Sequence, residues 1–178
     1  MGFLQELSNY KASNSRDDIN KRLSIEHFEN YRQESFDRKF INNGHFTASG
    51  IVFNKEKTHI LLTHHKFLNK WLQLGGHIDK ADSSVMEAAL RECVEESGIK
   101  NLELLDDNIF DIDIHFIPEN IKKNEKPHNH YDIRYLFVAN NDNFILSDES
   151  FDLKWLEVDE VLNIEDLKNI AIKLSAYK

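Results

Sequence analysis

The run from Leu72 to Ile99, LQLGGHIDKADSSVMEAALRECVEESGI, constrains this chain most, because it joins a double glycine to an amphipathic segment crowded with carboxylates. Val85, Met86, Ala89, Leu90, Cys93 and Val94 recur at three- and four-residue steps, which predicts a helix with one buried face. Ser84 is the expected N-cap with Glu87 as its reciprocal capping-box partner, and Asp82 and Ser83 compete for the same role. Ser97 and Gly98 end the helix, Gly98 supplying a left-handed residue. Glu92 and Glu96 are four apart and Glu95 is three from Glu92, so all three carboxylates converge on one flank. Arg91 offsets part of that charge. The remainder invites a hard cation such as Mg²⁺ or Mn²⁺, which prefers oxygen ligands and keeps waters next to substrate phosphates. Taken without its neighbours, an ExxEE sequence reads first as a solvated acidic face, and the glycines upstream shift the balance.

Upstream, Trp71, Leu72 and Leu74 read as a short strand, after which Gly75 and Gly76 are expected to turn tightly and let the backbone approach a ligand. The Gly76 carbonyl then offers a further metal oxygen. The whole pattern resembles the Nudix box, the signature of the Nudix hydrolase superfamily. Arg91, Glu92, Cys93, Val94, Glu95, Glu96, Ser97, Gly98 and Ile99 fill its second half, with Cys93 in an aliphatic slot. The first half departs from the pattern. Counting from Gly76, the early glutamate slot falls on Asp82, and the spacing from Asp82 to Arg91 is one residue longer than in the family.

The resemblance implies an α/β fold, the Nudix α/β/α sandwich with a mixed sheet, and a metal-dependent hydrolase. Its substrate would be a nucleoside diphosphate linked to another moiety, with water attacking phosphorus. It makes Glu92 and Glu96 the leading metal ligands, Glu95 a direct or water-mediated ligand, Gly76 a carbonyl ligand and Arg91 part of the catalytic helix. In the family the early acid mainly supports the loop, a role that falls to Asp82 here. The stretches HHKFLNKWLQLGGHID and HNHYDIRY resemble a bacterial Nudix group whose box opens with GGH, a likeness that runs from Thr47 to Trp155. A noncatalytic nucleotide-binding or regulatory module on the same fold, and a pyrophosphohydrolase of RNA ends, are the alternative functions.

Composition bounds the partners. An apolar share of 40% with 11% aromatics supports a real core, and a net charge of −9 disfavours the basic footprint of an extended nucleic-acid interface. A small nucleotide-linked substrate stays compatible with that charge. The single cysteine, Cys93, sits at an apolar helix position and reads as packing in a reducing compartment. No apolar run reaches membrane-spanning length and no secretory h-region opens the chain, so cytoplasmic residence is the default expectation.

Residues 1–41 are expected to form a helical extension and residues 42–178 the Nudix domain. In the extension Phe3, Leu7 and Tyr10 share a face, Asn14 to Asp18 breaks or caps, and Ile19 and Leu23 start a second stripe continued by Phe28, Tyr31, Arg32, Phe36 and Phe40. Packing on the domain is the plain reading; a homodimer contact or a substrate-side cap is the sharper one. Strands are expected at 45–53 and 58–63 around a turn at 54–57, at 109–117 and 131–139 around a polar loop, and at 153–158, with a final helix over 164–174.

Strict alternation places Asp111, Asp113 and His115 on one side of their strand, and His128, His130, Asp132 and Arg134 repeat the step of two across the loop. Paired as a hairpin, they bring carboxylates, imidazoles and a guanidinium together. The uses are a second metal site, a proton acceptor, or a network in which an aspartate orients a histidine while Arg134 grips phosphate. His115, His130 and Arg134 are the candidate substrate contacts, with His77, which follows the double glycine. Trp71 and Phe67 offer base stacking or, for Trp71, core packing, and Glu149 is a candidate base or extra ligand.

Overall fold

The computed structural model describes residues 2–39, 44–121, 125–148 and 150–177. Helix α1 (Phe3–Asn9) buries Leu7 and leads to a buried Tyr10. Its last carbonyls are satisfied from outside, because Lys21 Nζ donates to Ser8 O and Tyr10 O, each at 2.7 Å. Helix α2 (Ser15–Tyr31) is capped by Asn14, whose Oδ1 accepts the Asp17 N–H, while Asp17 accepts the Ser13 N–H and hydroxyl. The face that α2 buries is Asp17, Asn20, Ser24, His27 and Phe28, a helical spacing built mostly from polar residues. Ile19 is 49% exposed and stands off the core, whereas Phe28, further along the expected stripe, is buried. Hydrogen bonds took the place of hydrophobic periodicity: Asn20 Nδ2 donates to Ile112 O at 2.9 Å, and Arg16 pairs with Asp113. A 3₁₀ turn at Arg32–Phe36 follows, and Phe40 lies outside the described residues.

The strands are β1 (His45–Phe53), β2 (His59–His65), β3 (Lys70–Leu72), β4 (Leu74–His77), β5 (Leu102–Leu104), β6 (Asp111–Ile117), β7 (His128–Ala139) and β8 (Ser150–Glu157). Helices α3 (Val85–Ser97), α4 (Val158–Val161) and α5 (Lys168–Leu174) complete the chain. The main path through the sheet is β3-β2-β1-β7-β5, with β4 on β1, β6 on β7 and β8 on β2. This is the α/β architecture expected, a mixed sheet flanked by helices. Asn54 Oδ1 accepts the Thr58 and His59 N–H groups and so closes the first hairpin. Among the described residues no helix is long and apolar enough to cross a membrane.

Two expectations change. Gly75 and Gly76 run inside β4, Gly75 with a φ of +154° that favours glycine, and make no tight turn; the Gly75 N–H instead reaches Glu96 Oε2 at 2.9 Å. The helix expected over 164–174 is α5 preceded by a 3₁₀ turn at Glu165–Leu167, where Leu167 N donates three residues back to Ile164 O.

The chain divides into two compact units: Met1–Ala48, Gly76–Ala89 and Asn108–Tyr135 form one, and Ser49–Gly75, Leu90–Asp107 and Leu136–Lys178 form the other. In the first, the Phe3 ring meets Phe28, Phe36 and Phe46 at 5.0–5.3 Å between centroids, and Tyr135 Oη donates to Glu6. The N-terminal helices therefore share a core with β6 and the first part of β7. His27 lies in this core, 4% exposed and stacked on Tyr131 at 4.1 Å. Burial lowers its pKa from 6.5 to about 4, against a smaller opposing contribution from its bond to the Gly44 backbone. The unfolded chain thus takes up a proton that the folded chain refuses. His27 stability is complete above about pH 6.5 and is lost as pH falls through about 4, a swing of about 3 kcal/mol. Urea midpoints between pH 7 and 4 should fall more steeply for the natural protein than for His27→Phe.

In the second unit, a Cβ added to Gly50 would stand 2.2 Å from Cys93 Sγ and 2.9 Å from the Phe137 ring. Only glycine lets α3 lie this close to β1. Gly50→Ala should cost about 2–3 kcal/mol in a denaturation midpoint, and Cys93→Ala in the same chain should recover part of it.

Candidate functional site

Helix α3 starts where Ser84 Oγ accepts the Glu87 N–H at 3.1 Å, as the capping pattern predicts. The reciprocal half is shifted by one residue, because the Glu87 carboxylate accepts the N–H and hydroxyl of Ser83. Those two bonds lower the Glu87 pKa. Asp82 Oδ2 accepts the Asp79 N–H at 2.8 Å, and Asp82 N donates to Asp79 O, so the short acid ties its own loop. The helix closes at Gly98, with φ +69° and its N–H on Val94 O.

Along the second half of α3, Arg91 Nη1 donates to Glu92 at 2.9 Å and to Glu95 at 3.0 Å. One guanidinium therefore relieves the repulsion between the two carboxylates. Glu96 is 5% exposed, and its Oε2 accepts the Gly75 N–H at 2.9 Å, which fixes the carboxylate against β4. The Glu95 side chain is 59% exposed. Cys93, between them on the buried face, has its thiol pKa raised by burial first and by Glu96 and Glu92 after it, so it stays a protonated packing group.

The β6–β7 hairpin pairs Asp111 with Arg134, Asp113 with Asp132, His115 with His130 and Ile117 with His128. Arg134 is 3% exposed, and its guanidinium donates through Nη1 to Asp111 at 2.8 Å, through Nε to Asp132 at 2.8 Å and through Nη2 to Asp113 at 3.0 Å. Thr47 Oγ1 also donates to Asp132. Burial alone would raise the Asp113 carboxyl. Arg134, then the bond from His115 and the charge of Arg16 hold it well below the usual carboxylate range instead. Asp113 in turn sits 3.0 Å from His115 Nδ1 and orients that ring. The phosphate-gripping arginine of the sequence reading is thus placed among carboxylates, as the centre of a buried ion network.

Five imidazoles gather beside this network. His45 lies 4.8 Å from both His128 and His130 between ring centroids, His77 is 5.2 Å from His45, and His115 is 5.6 Å from His130. Burial, with the neighbouring rings of His45, His115, His77 and His128, pushes the His130 pKa far down and keeps it neutral. His45, His128 and His130 each present a ligand atom within 4.8 Å of the others.

The family model for the NUDIX domain matches residues 44–177. The chain belongs to the Nudix family. One curated relative of this Nudix protein is the probable DHNTP pyrophosphohydrolase of Lactococcus lactis, 34% identical over 114 residues. That match covers 62% of this chain and 64% of the relative, less than two thirds of its length. A hydrolase of the NUDIX family from Clostridium perfringens is 27% identical with TM-score 0.55, covering 78% of this chain and all of that one. The Ap4A hydrolase of C. elegans is 25% identical with TM-score 0.56, covering 74% and 93%.

Of the Nudix residues singled out from sequence, Glu92, Glu95 and Arg91 are brought together on α3, and His77, His115 and His130 share the imidazole cluster. Trp71 is half-buried and stacks on His64 at 5.1 Å, with Phe67 47% exposed, so Trp71 is not a core residue. Glu149 lies outside the described residues. Sequence reasoning missed His45. It stands at the start of β1, and only the pairing of distant strands sets it against His128 and His130.

Proposed function

We propose that this Nudix protein hydrolyses a diphosphate linkage in a nucleoside diphosphate derivative, with metal-activated water attacking phosphorus. The observation that carries this reading is the carboxylate arrangement of α3, in which Arg91 bridges Glu92 and Glu95 while Gly75 fixes the buried Glu96. The donor set fits a hard divalent ion: three carboxylates within two turns of a helix supply only oxygen ligands, the chemistry of Mg²⁺ or Mn²⁺. A carboxylate has lone pairs enough for Glu96 to keep the Gly75 bond and still ligate. Glu92 and Glu96 are the proposed principal ligands, with Glu95 direct or through water and the Gly76 carbonyl as the oxygen the family pattern adds. When bound, the ion neutralises diphosphate charge and lowers the pKa of a bound water.

The remaining roles belong to this chain's side chains. Arg91 holds Glu92 and Glu95 in place. His77, His115 and His130 offer imidazoles that donate to or accept from substrate oxygens. We assign Arg134 a positioning role, since its bonds run to Asp113 and through it to His115. The names of the Lactococcus and C. elegans relatives, both hydrolases, support a phosphate-anhydride substrate.

The test is a panel of nucleotide sugars, dinucleoside polyphosphates, nucleoside and pterin triphosphates and capped RNA, assayed with Mg²⁺ and Mn²⁺ for phosphate, pyrophosphate and nucleoside monophosphate. Isotopic water then identifies the attacked phosphorus. Metal binding without turnover on any member would replace the hydrolase reading with that of a nucleotide-binding module.

A further inference from the structure

We infer that His45, His128 and His130 form a three-imidazole site for a borderline divalent ion of the Zn²⁺ class, made of different residues from the carboxylates of α3. The inference does not depend on the hydrolase reading, because it concerns binding of the ion alone. His128 and His130 are two apart on β7 and so project to one face, and β1, which carries His45, is the neighbouring strand. The sheet therefore sets the spacing of the three rings before any ion arrives.

The donor chemistry selects the ion. Imidazole nitrogens suit zinc, cobalt, nickel and copper, whereas magnesium demands oxygen. With Zn–N near 2.0–2.1 Å, tetrahedral ligand nitrogens stand about 3.3 Å apart. The three ligand atoms here lie within 4.8 Å of one another, so closing on an ion takes ring movements of about 1 Å or less.

Tautomer and burial point the same way. His128 Nδ1 stands 2.7 Å from Lys126 O, and since a carbonyl can only accept, Nδ1 carries the proton and Nε2 carries the lone pair. A backbone carbonyl fixing the far nitrogen is the usual support of a metal-bound histidine. His128 is 7% exposed, and among the described residues its buried Nε2 meets no hydrogen-bond partner; His130 Nε2 is buried in the same condition. Two such unpaired ring nitrogens side by side are costly in a packed interior, and one cation satisfies both once each offers it a lone pair. His77 and His115, 5.4 and 5.6 Å from His130 between ring centroids, are within reach as a fourth ligand, and the Asp113 carboxylate already orients His115.

The untagged full-length chain, stripped with chelator, should bind one equivalent of Co²⁺ with the intense visible bands of a nitrogen-rich four- or five-coordinate site. Stoichiometric Zn²⁺ should bleach those bands, and a large excess of Mg²⁺ should leave them unchanged. His128→Gln and His130→Gln should each weaken Zn²⁺ binding by about 100-fold or more, whereas Glu92→Gln should retain it. The spectrum of the natural chain carries the test even where a buried variant fails to fold. Only the weak bands of an octahedral oxygen site, or Zn²⁺ binding that Glu92→Gln removes and the folded histidine variants keep, would overturn the assignment.

Discussion

Arg134→Met is expected to lose about 3–5 kcal/mol of stability, a large share of what holds a domain of this size together. The reason is the company Arg134 keeps. Asp111 is fully buried and Asp132 is 2% exposed, and each bonds the guanidinium at 2.8 Å. Removing the cation takes from these interior carboxylates the guanidinium that bonds both, while methionine fills the space and so isolates the electrostatic loss. Arg134→Lys should fall between, because one ammonium cannot reproduce three bonds made from three nitrogens of a planar fork. Urea midpoints at constant slope measure the loss, and Asp111→Asn added to Arg134→Met should restore part of it. A loss below about 1 kcal/mol would show that the network contributes little net stability.

Glu96→Gln is expected to lower kcat by about 100- to 1,000-fold at saturating Mg²⁺ while leaving the folded state nearly as stable. The two effects separate because glutamine keeps a carbonyl oxygen to accept the Gly75 N–H but loses the charge that holds a hard cation. Glu92→Gln should act in the same direction, and Glu95→Gln less, since its side chain is 59% exposed. Full activity of Glu96→Gln under saturating metal would remove Glu96 from the proposed ligand set.

The parts of this fold that sequence made legible are those governed by local rules. The amphipathic period of α3, its Ser84 cap and its Gly98 terminus depend on residues within a turn of each other, and the structure places them as read. The β6–β7 hairpin was legible for a related reason: a step of two on both strands leaves few registers that keep polar residues on one face. Helix α2 was not legible as a buried element, because Asp17 and Asn20 are buried through hydrogen bonds, and Ser24 is buried as a small side chain, where periodicity looks for apolar residues. The double glycine misled in conformation, since glycine permits a turn without requiring one and the sheet drew it into β4. His45 was invisible because no local pattern marks a histidine set against His128 and His130 from more than eighty residues away.

Close packing of Cys93 beneath Gly50 turns the sole thiol of the chain into a clock. Sγ is fully buried and its thiol is held protonated, so an alkylating reagent reaches it only when α3 lifts from β1. The rate of labelling under native conditions then reports the free energy of that opening, in the manner of amide hydrogen exchange at a single site. Because the same helix carries Glu92, Glu95 and Glu96, slower labelling with added Mg²⁺ would register cation binding as a closed helix, with no substrate and no turnover required.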